Sequence, residues 1–126
     1  MYKEKLEYIN ILQPLFIDEL GWNVGGRVII GGRVGTIVST NKGDEEVYVN
    51  ISIHDALKKD KKDCLLYPNT YELWSMVKNT DRIYIQWING KSIRIVSKEG
   101  FVTLVECEGN DFELLFMKLI MYQEGL

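Results

Sequence analysis

The sequence predicts an α+β fold: two antiparallel β-meanders, about six strands in all, with flanking helices in a single domain over residues 1–126. Three observations predict it. Both ends of the chain carry apolar residues at helical spacing with charges between them. Two tight-turn dipeptides, Gly31-Gly32 and Asn89-Gly90, each join β-rich runs. The 126 residues are 46% hydrophobic and 26% charged, which is globular composition and enough chain to bury a core without metal or disulfide staples.

The first element is a helix over 2–12, with Leu6, Ile9 and Leu12 on one side. Pro14 ends it or starts a second short helix, and Leu20-Gly21 is the C-terminal stop. From Val24 the pattern turns to β. Arg27-Val28-Ile29-Ile30, the two glycines, and 33–40 read as a hairpin. Asn41-Lys42-Gly43-Asp44 is a second turn, and 46–53 alternates as a third strand. Residues 54–62 read as a short helix dissolving into a Lys/Asp run.

Pro68-Asn69-Thr70-Tyr71-Glu72 is a helix start in which Asn69 caps and Glu72 reaches back. Leu73, Trp74 and Val77 give that helix an apolar side. Residues 83–96 form the clearest element, because both residues of Asn89-Gly90 tolerate positive φ. Lys98-Glu99-Gly100 turns the chain into a strand over 101–107. Asn110 and Glu113 repeat the cap-and-return pattern before a last helix, 111–123. The two strand blocks resemble each other (Arg27-Val28-Ile29-Ile30 beside Arg82-Ile83-Tyr84-Ile85, Thr36-Ile37-Val38-Ser39 beside Arg94-Ile95-Val96-Ser97), which raises an internal duplication. With no Pro-, Ser- or charge-rich linker between them, one domain is expected.

Charge and cysteine usage narrow the function classes. A net charge of −3 disfavours a duplex nucleic-acid binder, whose affinity comes largely from neutralising phosphates. Cys64 and Cys107 lack the paired spacing of a zinc site and read as ordinary thiols of a reducing compartment. The charged, amphipathic start is no signal peptide, and no apolar run approaches the roughly 20 residues that span a bilayer. A cytoplasmic protein follows as the expectation. The sequon Asn50-Ile51-Ser52 then has no meaning.

No catalytic, metal or cofactor motif stands out. The run Gly25-Gly26-Arg27-Val28-Ile29-Ile30-Gly31-Gly32-Arg33-Val34-Gly35 is neither GxGxxG ahead of a helix nor a P-loop. Its glycines make turns and let a strand bend. The alternative is that Arg27 and Arg33 hold an anion on a glycine-rich surface. His54 and Asp55 are about 100° apart on a helix and make no triad; Asp55 suits a first helical turn. The acids Asp44-Glu45-Glu46 and the pair Glu106 and Glu108 read as solvated.

In a two-residue Asn89-Gly90 hairpin, Trp87 faces Ser92 and Ile85 faces Arg94, on one side with Ile83 and Val96. Both faces are then largely apolar, so both should be covered. Arg94 lies diagonal to Trp87, which suits a cation–π contact. Equally, Arg94 can pack its stem and keep its head in water.

Leu66-Tyr67-Pro68-Asn69-Thr70-Tyr71-Glu72-Leu73-Trp74-Ser75-Met76-Val77 resembles the Pro-centred helix start of small bacteriophage and prophage proteins of low-GC Gram-positive hosts. In those, a short β-meander and a Leu/Met-rich helix follow, as at 112–122 here. Val28 to Val38 is similar to the glycine-bearing turn of SH3-like and KOW-type barrels. The phage resemblance implies a non-enzymatic protein that inhibits a host protein, such as a defence protein, by stoichiometric association in the host cytoplasm. It transfers no active-site residue. Abundant aromatics, with Trp22, Trp74, Trp87 and seven tyrosines, suit protein interfaces. The alternative is a small-molecule binder that sequesters a nucleotide or related anion through Arg27, Arg33, Arg94 and Trp87, since guanidinium forks and an indole face suit a phosphorylated base.

Finally, the last helix places Phe112, Leu115, Phe116, Leu119 and Ile120 on one stripe and Leu114, Met117 and Met121 on a second. The first should pack on the sheet. The second predicts a homodimer interface, unless the N-terminal helix covers it.

Overall fold

The computed structural model describes residues 2–41, 43, 45–51 and 56–126. They form an α+β protein with an antiparallel sheet of five strands, another of three, and flanking helices. The chain divides into two compact units, Met1–Asn69 and Thr70–Leu126. The predicted helix start at His54-Asp55, the strand end at Ile53 and Ser52 of the sequon lie outside the described residues, as do Lys42 and Asp44. Among the described residues no helix is long and apolar enough to cross a membrane.

In the first unit, α1 (Tyr2–Glu19) continues through Pro14 as a single helix, correcting the expected break. Proline removes the amide that would reach the Asn10 carbonyl. Pro14 and Asn10 both lie on the exposed side, where water can take that carbonyl. On the opposite side Ile9, Leu12 and Phe16 are buried, and this packing outweighs one lost hydrogen bond. The helix ends as predicted: Gly21, at φ +73°, donates its amide to the Phe16 carbonyl (3.2 Å).

β1 (Arg27–Ile30) and β2 (Arg33–Thr40) form the hairpin predicted at Gly31-Gly32. Ile30 faces Arg33, and the glycines adopt φ of +55° and +79°, a conformation open to few other residues. β3 (Glu46–Asn50) pairs with β2 after a bulge near Val38. Leu57–Asp60, expected to be helical, is instead β4, antiparallel to β3 with Val49 facing Leu57 and Glu46 facing Asp60. Pairing along the open side of β3 overrides local helix preference. β5 (Leu65–Leu66) joins the far side of β1, giving the order β4-β3-β2-β1-β5. The registers put Val28, Ile37, Val47, Val49 and Leu66 on one face, all buried. The other face presents Val34, Thr36, Glu46, Tyr48 and Lys58 to solvent.

The second unit opens with α2 (Thr70–Ser75) and continues into β6 (Ile83–Ile88), β7 (Ser92–Ser97) and β8 (Thr103–Glu108), in that order across the sheet. α3 (Phe112–Glu124) packs on β8 and β7 and against α2. Its cap is Asp111, not Asn110: the Asp111 carboxylate accepts the Leu114 amide at 3.1 Å. Trp74 lies on Phe116 with ring centroids 5.0 Å apart. The Gln123 amide clamps Lys78, donating to its carbonyl (2.7 Å) and accepting from its amide (2.9 Å).

The Asn89-Gly90 turn forms as predicted, with positive φ at both residues and the Lys91 amide donating to the Ile88 carbonyl at 3.0 Å. The register beyond it does not. Lys91 is an extra residue, and pairing resumes with Ile88 facing Ser92, Trp87 facing Ile93 and Gln86 facing Arg94. The Lys91 carbonyl instead accepts the Gly109 amide, 2.6 Å away beyond the end of β8. A one-residue shift moves every partner to the other face. Ile83, Ile85, Trp87, Ile93, Ile95, Val105 and Cys107 therefore share one face, and Ile93, Ile95 and Cys107 are buried.

Candidate interaction surface

The register shift disassembles the predicted Trp87–Arg94 pair. Arg94 lies on the face opposite Trp87, where its Nε donates to Gln86 Oε1 at 2.7 Å and its strand partner is Glu106. Ser92 Oγ donates to Glu106 Oε1 at 3.3 Å. That face carries a polar row of Gln86, Arg94 and Glu106 across three strands, and further along it Val96, opposite Tyr84, is buried. Trp87 meets the Phe112 ring nearly edge-on, centroids 5.8 Å apart at 66°, and is still 57% exposed.

Arg27 and Arg33 do not converge either. They lie at opposite ends of the β1–β2 ladder, and strand alternation puts them on opposite faces. Arg27 is engaged within its own unit. Its Nε and Nη2 donate to the Tyr67 and Pro68 carbonyls (3.2 and 3.0 Å), and its guanidinium lies 4.0 Å from the Tyr67 ring centroid. It pins the segment that follows β5. Arg33 is exposed at the hairpin tip.

The stripe Leu114, Met117 and Met121 is not an open surface. Leu114 and Met117 are buried within the single chain and Met121 is half-buried, so exposure of this stripe no longer argues for a dimer through α3.

Surface clefts among the described residues include a pair with polar linings. One, about 470 Å³, is lined by Glu45, Asp60, Lys61 and Lys62, and Lys61 Nζ lies 5.8 Å from the Trp22 ring. Its alternating charges select neither anion nor cation. The other, about 130 Å³, is lined by Ser39, Thr40, Asn41, Glu46, Tyr48 and Lys58. There Lys58 is tied to Glu46 at 3.4 Å. Among the described residues no three His, Cys, Asp or Glu side chains gather as metal ligands. Cys64 and Cys107 are buried and form no disulfide; burial, with Asp63 beside it, pushes the Cys64 thiol up.

The turn joining β7 to β8 forms where Lys98-Glu99-Gly100 predicts one. It returns through a Ser97 amide to Val102 carbonyl bond of 2.8 Å, and the Lys98 amide donates to the Arg82 carbonyl at 2.9 Å. Gly100 and Phe101 both take positive φ, +77° and +54°. Glycine accepts this freely, but a bulky aromatic does so only at a cost of roughly 1–2 kcal/mol. The Phe101 ring gains no burial in return: it is 74% exposed, and Val102 after it is 57% exposed. Positive φ and exposure thus coincide at Phe101, with the exposed Val102 beside it. The strand expected over 101–107 begins instead at Thr103, because Phe101, at positive φ, still belongs to the turn. Comparison of the chain with protein-family models, with curated proteins and with solved structures returned no match.

Proposed function

We propose that this protein acts by stoichiometric association with another protein, which it engages through the Phe101–Val102 turn. The observation that carries this reading is the coincidence of positive φ and exposure at Phe101. Aromatic side chains are the commonest energetic anchors of protein interfaces, and a turn held by Ser97–Val102 and Lys98–Arg82 backbone bonds presents one with little ordering cost. The resemblance to phage proteins makes a host protein, for instance a defence nuclease, the first partner class to test.

A photo-crosslinking residue at 101, introduced in cells, tests the reading against the same probe at exposed Val38. The expected result is one stoichiometric adduct from position 101 and none from 38. Phe101→Gly should raise stability by about 0.5–1 kcal/mol by relieving the left-handed strain, while abolishing that partner's co-purification. Equal adducts from both positions would end the proposal. The nucleotide reading stays second: within the first unit Arg27 and Arg33 lie on opposite faces, and within the second Arg94 lies on the face opposite Trp87, so neither unit by itself pairs the groups that reading calls for.

A further inference from the structure

The two sheets have four edges among the described residues, and three of them are blocked by identifiable devices. β5 is two residues long, and Gln13 closes it: its side-chain amide donates to the Leu66 carbonyl at 2.8 Å and accepts the Leu66 amide at 2.8 Å. β4 reads Leu57-Lys58-Lys59-Asp60, a charged strand of the kind that discourages pairing. β8 carries Glu106 and Glu108 and an irregular register opposite Ile95 and Val96. Lys118 Nζ also caps its Glu106 carbonyl at 2.9 Å.

β6 has none of these. It pairs with β7 alone, runs for six residues, Ile83-Tyr84-Ile85-Gln86-Trp87-Ile88, and contains no charge, proline or glycine. A strand without such protection is a template for another strand. We propose that β6 pairs antiparallel with β6 of a second copy, joining the two three-stranded sheets into one of six strands across a twofold axis.

Self-pairing fits the chemistry of this edge. The protein carries a net charge of −3, which opposes contact between copies on a charged surface, whereas β6 places no charge against its own copy. A closed two-fold dimer requires antiparallel strands. Pairing that keeps the faces aligned and overlaps the most of this six-residue strand passes the axis through Ile85 or Gln86; in either case Trp87 meets an isoleucine of the other copy, Ile83 or Ile85. Aromatic against β-branched is a favourable cross-strand pair. The area predicts the strength: a strand of about 20 Å with its flanking side chains buries less than the roughly 800 Å² per partner of a standard interface. The dimer should therefore be weak, with Kd of tens of micromolar or above.

The test combines sedimentation equilibrium of the full chain between about 10 µM and 1 mM with amide hydrogen exchange at both ends of that range. A reversible dimer is expected, with exchange of alternate β6 amides slowing at least fivefold at the higher concentration. Trp87→Lys, at an exposed position, should weaken the dimer at least tenfold, whereas Met121→Glu on α3 should leave it unchanged. A chain that stays monomeric at 1 mM overturns the proposal. So does a dimer whose β6 amides exchange at the same rate at both concentrations, or one dissociated by Met121→Glu and not by Trp87→Lys. The exchange readout needs only the wild-type chain, so a variant that fails to fold leaves the test intact.

Discussion

The two glycine-bearing hairpins, one in each unit, begin from the same local chemistry and end differently. Gly31-Gly32 and Asn89-Gly90 both supply two consecutive residues at positive φ. In the first, Ile30 faces Arg33 and the ladder runs on without an extra residue. In the second, Lys91 is left over, and the register shifts by one. The difference lies outside the turn. Beyond the Asn89-Gly90 turn the Lys91 carbonyl is held by the Gly109 amide, which follows the third strand of the sheet. The extra residue turns Ile93 and Ile95 to the face shared with Cys107, where all three are buried. A turn is specified by its two residues; a register is specified by what the strand must bury.

Changing residue count should separate the hairpins most strongly. Deleting Lys91 forces either the turn or the burial of Ile93 and Ile95 to fail. At about 1.5–3 kcal/mol for each buried isoleucine, the loss is about 3–6 kcal/mol, read from urea midpoints. One glycine inserted after Gly32 lengthens a loop whose flanking pairs stay in register, at an expected cost of under about 1 kcal/mol. Equal losses from the two changes would refute the account of Lys91.

Changing residue type should make the hairpins alike. Gly31→Val and Asn89→Val each place a β-branched residue at positive φ, +55° and +49° in the wild type. Each should cost about 1–2 kcal/mol. A much smaller loss at Asn89 would mean that tertiary contacts hold this turn independently of its dihedrals.

The two buried thiols give the finest comparison, one in each unit. Cys107 lies opposite Ile93, so deleting Lys91 should speed its alkylation. Cys64 should react slowly in the native protein at pH 8, because its thiol is pushed up by burial and by Asp63. The folded state thus holds this proton to higher pH than the unfolded chain. The associated stability is fully present below the ordinary thiol pKa and is lost as pH rises through the folded value. A slightly lower urea midpoint at pH 9.5 than at pH 7, removed by Cys64→Ala, is the expected reading. Melting temperature should not depend on reductant, since neither cysteine is in a disulfide.

Sequence alone determined the features whose causes are local. The ends of β1 and β2, the stop at Gly21, the Asn89-Gly90 turn and the helix start near Asp111 follow from dihedral preference and capping, which act within a few residues. It determined the α+β class as well, because apolar periodicity reports which side of each element must leave water. Only the tertiary structure decided the rest. Pro14 is tolerated because it lies on the side of α1 away from Ile9, Leu12 and Phe16, and residues 57–60 became a strand because β3 had an open side to pair. Arg27 was drawn to the carbonyls of Tyr67 and Pro68, 40 and 41 positions along the chain. Arg94 and Trp87 were parted by one residue of register. Each outcome depends on partners distant in sequence, and a local pattern carries no information about which of them will be near.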